Sequence, residues 1–165
     1  MSMRLLAAAT LMFVATTCGG ITTESDLPPW LDAAIVNGVS YYARAELRPA
    51  PGGADLAIVT VTARNDNPNQ VDFQYGGCFM RLLVYDNAGG SGSPVWDSAQ
   101  QDDVCLAIGY RVSLAQGESK ELEGGTVVSE ILGTRLPARR YFFNVILETS
   151  IATVALKAGG LELSR

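Results

Sequence analysis

The chemistry open to this chain is limited by one absence: its 165 residues include no histidine. Imidazole is the usual general base of serine and cysteine hydrolases and the commonest nitrogen ligand of protein-bound metals. Seventeen Asp and Glu side chains remain, and a carboxylate pair can hydrolyse glycosides without histidine. Some such pair is inevitable in so acidic a chain, and no insertion between the predicted strands would form a cleft. We therefore predict a protein that is not an enzyme and has no catalytic residues and no cofactor.

Two loops carry residue types that bind ions, but neither has the required pattern. Asp97, Asp102 and Asp103 could hold calcium, yet their spacing fits no EF-hand, and we interpret them as solvated loop charges. The glycine-rich residues 89–92 precede a predicted strand, whereas phosphate-binding loops lead into a helix N-terminus. The sequence predicts no metal site.

Residues 1–17 have the pattern of an export signal, with Arg4, an apolar run over 5–14 and small residues directly before Cys18. This run is too short to span a bilayer as a stable helix. Small residues followed by cysteine resemble the lipobox of bacterial lipoprotein precursors, which implies lipidation of Cys18. The glycine after Cys18 resembles that of lipoproteins sorted to the outer membrane. Cleavage without lipidation, giving a periplasmic or secreted protein, is the alternative.

The other two cysteines, Cys78 and Cys105, are predicted to form a disulfide. Three cysteines are an odd number for an oxidising compartment, and lipidation of Cys18 would leave one pair. If residues 85–86 and 94–95 end a hairpin, strand counting places Cys78 opposite residue 102 or 103, close to Cys105. Such a bridge would contribute about 3 kcal/mol by restricting the unfolded chain. A redox or metal site is the disfavoured alternative, because there is no CxxC motif.

The charge of the chain argues against nucleic acid as a partner. The formal net charge is −5, and phosphate binding requires clustered Lys and Arg. The one basic cluster, Arg135, Arg139 and Arg140, brackets a Leu-Pro-Ala turn and is interpreted as its decoration. A protein partner, and a membrane reached through the N-terminal lipid, are the predicted contacts.

The predicted elements are almost all strands. Residues 18–30 are small, polar and proline-bearing, as in a tether, and one folded domain is predicted over 31–165. Strands are predicted at 39–47, 56–63, 71–75, 79–85, 94–98, 110–114 and 141–147, with weaker ones at 120–122 and 126–131 and a closing hairpin from 154–156 and 161–163. The run 141–147 is predicted to be buried on both faces. This pattern predicts an all-β antiparallel sandwich of about eight or nine strands, with a barrel as the alternative.

Several of these strands resemble the intracellular proteinase inhibitor (BsuPI) family. The matching stretches are the strand 56–65 ending in Asn65, Val-Asp-Phe at 71–73, Leu-Leu-Val-Tyr-Asp at 82–86, Pro-Val-Trp-Asp-Ser at 94–98 and Leu-Ala-Gln-Gly-Glu-Ser at 114–119. The resemblance implies an Ig-like sandwich and a role in binding proteins, with a protease as one class of partner. It carries over no inhibitory residue. The export signal and the cysteine pair depart from an intracellular inhibitor, which implies a different location and partner.

The predicted binding surface is the irregular segment 87–103, because binding residues concentrate on loops presented by a rigid sandwich. The predicted partner-binding residues are Gly89, Gly90, Ser91, Gly92, Trp96 and Asp97. For Trp96 a place in the core is the favoured interpretation over a partner contact, because tryptophan is buried more often than exposed. The function predicted from sequence is therefore an envelope-anchored or secreted protein-binding module. The alternatives are an accessory subunit of an envelope complex that binds through a strand edge and, less favoured, a carboxylate-based hydrolase.

Overall fold

The computed structural model describes residues 33–101 and 108–165. The predicted signal segment, Cys18 and the tether lie outside these residues, as do Cys105, Asp102 and Asp103. Within the described part of the chain, no helix has the length and apolar character needed to cross a membrane.

The described residues are organised almost entirely as antiparallel strands. The strands are β1 (Ala34–Val36), β2 (Val39–Pro49), β3 (Asp55–Asn65), β4 (Val71–Tyr75), β5 (Met80–Tyr85), β6 (Trp96–Asp97), β7 (Tyr110–Leu114), β8 (Ser119–Val127), β9 (Arg139–Glu148) and β10 (Thr153–Leu163). A 3₁₀ turn follows β6 at Ser98–Gln100, and the short helix α1 spans Val128–Leu132. The predicted all-β class is confirmed: the described residues form ten strands where about eight or nine were expected, and the short β1 is one that the sequence did not indicate.

Two four-stranded sheets form the sandwich, one in the order β1-β2-β3-β8 and the other in the order β10-β9-β5-β6. The core lies between them, because alternate residues of each long strand point inward. In β3 and β9 these inward residues are Ala57, Val59, Val61, Ala63, Tyr141, Phe143, Val145 and Leu147. The prediction that 141–147 is buried on both faces is wrong, since the intervening residues are only half-buried. Because the outward-facing Phe142 and Ile146 are also apolar, the sequence of this half-exposed strand resembles that of a strand buried on both faces.

The strand order is that of an immunoglobulin-like sandwich. β2-β3-β8 and β10-β9-β5 occupy the places of strands A-B-E and G-F-C in that fold. Near the start of β9, the hydroxyl of Tyr141 donates to the Pro137 carbonyl at 2.9 Å, which is the tyrosine corner typical of such domains. α1 packs Ile131 and Leu132 into the core just before this corner.

β4 follows β3 in the chain and β7 precedes β8. These two shorter strands pair with each other and form a second ribbon beyond the sheet. Asn65, fully buried, holds the bend between the two ribbons. Its side-chain amide donates to the carbonyls of Asn69 at 2.8 Å and Leu114 at 2.9 Å, while its Oδ1 accepts from the Asn67 N–H at 2.8 Å. This bend carries the β4–β7 ribbon to one end of the sandwich.

Two predictions for the C-terminal half of the chain are wrong. Residues 154–156 and 161–163 are parts of one strand, β10, which pairs with β9 throughout and has a register shift between Lys157 and Gly159. Glycine admits the positive φ of 96° at residue 159, so the Ala-Gly-Gly sequence forms a bulge and not a turn. The predicted strand 126–131 instead divides into the end of β8 and α1.

Candidate functional site

The glycine-rich turn after β5 is ordered by its own side chains and lies against β9. Asn87 accepts from the Ser91 N–H at 3.3 Å and donates back to the Ser91 carbonyl at 3.1 Å. Asn144 of β9 donates to the Gly90 carbonyl at 3.1 Å. The turn predicted to be a flexible binding loop through Gly89, Gly90, Ser91 and Gly92 is thus fastened to the outer face of the sheet.

Trp96 belongs to the hydrophobic core and not to the surface. β6 pairs with β5, Val84 opposite Trp96, and the indole is only 8% exposed. Burial therefore fits the favoured interpretation of Trp96 as a core residue and argues against a direct partner contact. Its indole Nε1 has no hydrogen-bond partner among the described residues.

Asp97 is also buried, at 2% exposure, although the sequence indicated a solvated or partner-binding loop charge. Arg81 of β5 donates to both of its oxygens, at 2.9 and 2.5 Å, and the Ala99 N–H donates at 2.9 Å. The Arg81 guanidinium holds the pKa of this carboxyl below its usual range, in spite of burial. The prediction was wrong about exposure because the partner, Arg81, comes from a different strand.

The described part of the predicted binding segment, residues 87–101, is therefore divided between the two ends of β5. Its glycine turn lies at the end of β5, whereas the 3₁₀ turn at Ser98–Gln100 runs back beside the start of β5, where the Ser98 hydroxyl accepts from the Leu82 N–H at 2.9 Å. Between these two turns, Trp96 and Asp97 are buried and stabilise the fold. The more exposed apolar surface lies elsewhere, at the end of the sandwich that holds Cys78.

An aromatic cluster projects from this end. The rings of Tyr75 and Phe79 lie 4.3 Å apart, and Tyr75 stacks on Tyr110 with centroids 5.2 Å apart. Tyr110 is 47% exposed and the neighbouring Ile108 is 46% exposed. Burial of the Tyr75 ring raises the pKa of its hydroxyl. Aromatic side chains that are half in water are the commonest anchors of protein interfaces.

The cluster is exposed because the ribbon overhangs the core. Tyr75 pairs with Tyr110 and Phe73 with Val112, so both pairs lie on one face of the β4–β7 ribbon. The inner pair is buried in the core, while the outer pair extends past it. The alternation in residues 71–75 could predict this shared face. It could not predict where the core stops.

Surface grooves run along both sides of the cluster. One, of about 660 Å³, passes Gly76, Phe79 and Ser150, and the other, of about 670 Å³, passes Tyr110, Lys120 and Leu122. The second groove therefore leads from the aromatic cluster to the beginning of β8.

β8 is an edge strand: among the described residues, β3 is its single partner in the sheet. The Asn65 N–H donates to the Glu118 carbonyl, and the register is unbroken through β8. Because hydrogen bonding alternates along an antiparallel pair, even-numbered residues of β8 bond to β3 and odd-numbered ones point their backbone groups away. The N–H and C=O groups of Ser119, Glu121, Glu123 and Gly125 therefore face the open side.

A cleft of about 570 Å³ runs beside this edge, between β8 and the start of β5. Its apolar wall is made by Phe79, Met80, Leu82 and Trp96. Gly124 keeps the opposite wall low: a side-chain carbon there would lie 3.0 Å from the Met80 sulfur. Phe79 lines the cleft and both grooves, so the aromatic cluster and the β8 edge form one continuous site.

Cys78 lies at this end as well, in the connection between β4 and β5. It is disulfide-bonded, but Cys105, its predicted partner, lies outside the described residues. The Cys78–Cys105 pairing therefore remains a prediction. Within residues 33–101 and 108–165, no group of three His, Cys, Asp or Glu side chains is arranged to hold a metal ion.

Comparison with known proteins gives no family. No protein-family model and no curated protein matches the sequence. A β-glucosidase from Listeria innocua, solved in complex with gluconolactone, matches with 17% identity over 76% of this chain and a TM-score of 0.31. The match spans 17% of the length of that enzyme. Similarity at this level carries no argument about activity.

The arrangement of the site suits the binding of an extended peptide. Unpaired backbone groups of an edge strand can add a strand from another chain, and adjacent apolar pockets can then accept its alternate side chains. The β8 edge supplies the backbone groups, and the cleft and aromatic cluster supply the apolar contacts. Sequence reasoning had the edge strand as its alternative, but it did not identify β8, Phe79 or Tyr110.

Proposed function

We propose that this protein is an exported protein-binding module, and that it binds an extended segment of a partner protein along the edge of β8. The observation that carries the proposal is the juxtaposition of outward backbone groups on β8 with a cleft of about 570 Å³ that has an apolar wall. The partner segment would carry apolar side chains at alternate positions, because one face of an added strand would point into the cleft.

The aromatic cluster extends this surface beyond the strand edge. Tyr110 and Phe79 lie where a segment paired with the start of β8 would pass. Rings that are already stacked lose little side-chain freedom on binding, so their contacts are retained in the binding free energy. The resemblance to proteinase inhibitors makes a protease one class of partner.

The same edge would also serve an accessory subunit held permanently in an envelope complex. Both functions use the same surface of the protein, and they differ in how long the complex with the partner lasts. Co-purification at constant stoichiometry favours the permanent subunit, whereas exchange with added free protein favours a reversible binder.

A single position on β8 tests the edge. The Glu121 N–H points away from β3, so Glu121→Pro removes a donor of the open edge without breaking the β3 ladder. Glu121→Ala is the matched control, because both variants lose the surface ion pair with Arg44. We expect partner capture from envelope extract to fall tenfold or more in the proline variant, about 1.4 kcal/mol, and to stay unchanged in the alanine variant. Equal capture by the two would refute edge pairing.

A crosslinking experiment covers the case in which the proline variant does not fold. A photoreactive residue at position 121 should join the captured partner through one extended segment with alternating apolar residues. The same residue at Ile35, which is 71% exposed on the opposite edge strand β1, should not. Tyr110→Ala should weaken capture while leaving the melting temperature unchanged.

The export part of the proposal depends on Cys18, through the signal pattern of residues 1–17. Lipidation of Cys18 would make it the mature N-terminus and anchor the domain to the envelope. Cys18→Ser should move the protein from the membrane to the soluble fraction. A wild-type protein that is already soluble and whose N-terminal peptide lacks lipid would replace anchoring with simple secretion.

A further inference from the structure

A small hollow lies on the outer face of β9 and β10, beneath the glycine turn and away from the β8 edge. Its volume is about 240 Å³, below the range of about 300 to 1,000 Å³ typical of drug-sized ligands. It is lined by Ala88, Arg140, Phe142, Asn144, Lys157 and Gly160. The hollow thus has room for a small ligand only.

Glycine keeps the floor of the hollow open. Gly160 pairs with Phe142 across the two strands, and a side-chain carbon at Gly160 would lie 2.9 Å from both the Phe142 ring and the Arg140 Nε. The bulge between Lys157 and Gly159 changes the direction of β10 just before this point. The aromatic ring can therefore lie over bare backbone.

The wall opposite is held in place by the turn itself. Asn144 donates to the Gly90 carbonyl at 3.1 Å, and Gly90 approaches so closely that a side-chain carbon there would lie 2.7 Å from Asn144 Nδ2. Ala88 of the same turn reaches the rim of the hollow. The wall is thus part of the folded structure and would not have to order when a ligand binds.

The chemistry of the hollow is cationic and aromatic. The Arg140 guanidinium lies 5.8 Å from the centroid of the Phe142 ring. Its contact with Glu162 is long, at 4.0 Å, and joins side chains that are 58% and 70% exposed. Such a pair contributes little. The guanidinium can therefore turn toward a ligand carboxylate and bind it with two parallel hydrogen bonds.

We propose that this hollow binds a small aromatic carboxylate, with the carboxylate on Arg140 and the ring against Phe142. A planar acid satisfies both groups at once, whereas a neutral ring lacks the charge and an aliphatic acid lacks the stacking surface. The site is independent of the β8 edge, since it lies on the outer face of the other sheet.

Benzoate is the probe that tests the proposal. Titration of the purified protein, followed by amide NMR shifts, should give saturable changes centred on Phe142, Asn144 and Gly160. Benzyl alcohol should give no saturable change. Arg140→Gln should weaken benzoate binding tenfold or more, while Arg139→Gln, whose side chain pairs with Asp86, should leave it unchanged. Glu162→Gln should strengthen binding, because it removes the competing carboxylate.

A second variant separates the site from general anion binding. Gly160→Ala should abolish benzoate binding by filling the floor, provided that its melting temperature shows a folded protein. If the variant unfolds, the comparison of benzoate affinity between Arg140→Gln and Arg139→Gln is the deciding test. Equal benzoate affinity in those two variants, or changes that do not saturate, would overturn the proposal.

Discussion

At the scale of single residues, the buried carboxylate of Asp97 is stable because its partners replace the water that burial removes. Arg81 contacts both oxygens and the Ala99 N–H supplies a further bond. The ion pair between Asp86 and Arg139 offers a natural comparison, since both of its side chains are about half exposed. The arginine is about half exposed in both pairs, so the comparison isolates the burial of the carboxylate.

We expect Asp97→Asn to lower the free energy of unfolding by about 2 kcal/mol, because a neutral amide cannot accept hydrogen bonds from Arg81 with both of its terminal atoms. Asp86→Asn should change it by less than about 1 kcal/mol. Urea unfolding midpoints of both variants measure this difference. Equal effects would mean that burial does not distinguish the two pairs.

The same carboxylate predicts a dependence on pH. Since Arg81 lowers the pKa of Asp97 in the folded state, its stabilisation is present above the unfolded value of about 3.9 and is lost as the pH falls through the folded pKa. Wild type should therefore lose more stability than Asp97→Asn between pH 5 and acid conditions. Parallel curves for the two proteins would contradict this.

Asn65 is a second residue whose side chain connects separate strands by hydrogen bonds. Asn65→Ala removes three hydrogen bonds and leaves the buried Leu114 carbonyl without this donor. We expect a loss of about 3 kcal/mol in thermal or chemical unfolding. Gln70→Ala, on the exposed side of the same connection, should stay within about 0.5 kcal/mol of wild type.

At the scale of elements, the glycine turn is bonded to β9, and our proposal assigns it a role in stability and not in partner binding. Gly90 has a φ of 58° and no room for a side chain beside Asn144, whereas Gly89 has ordinary contacts at 3.4 Å. We expect Gly90→Ala to lose about 1 to 2 kcal/mol of stability and Gly89→Ala to be nearly neutral. Both should capture the partner as wild type does. Loss of capture in a folded Gly90→Ala would restore the turn as the binding surface.

The strands could be predicted where pattern and pairing are local. The β5–β6 register follows from residue 85 opposite residue 95, and the observed Val84–Trp96 and Leu83–Asp97 pairs have that register. The bulge in β10 could not be predicted, because Ala-Gly-Gly suits a turn as well as a bulge, and only pairing with β9 decides. The β8 edge and the aromatic overhang depend on which sheet each strand joins, and no local pattern contains that information.

At the scale of the whole molecule, the disulfide at Cys78 joins the end that carries the aromatic cluster to another part of the chain. Non-reducing peptide mapping should find Cys78 joined to Cys105, and reduction should lower the free energy of unfolding by about 3 kcal/mol, because it frees the unfolded chain from the closed loop. A bond from Cys78 to Cys18 would contradict both this pairing and lipidation of Cys18. It would place the N-terminal segment beside the proposed binding site.

The strand order of the sandwich has a consequence for how fast it folds. Leu56 pairs with Val127 and Met80 with Leu147, so the β3–β8 and β5–β9 pairings join segments far apart in the chain. The pairs β1–β2, β2–β3, β5–β6 and β9–β10 instead join consecutive strands. The chain must lose the entropy of closing large loops before the long-range strand pairs can stabilise it, so topology of this kind slows folding to milliseconds or longer. A chain that folds slowly stays extended for longer after synthesis, which suits the passage through a translocation channel that the proposed export requires.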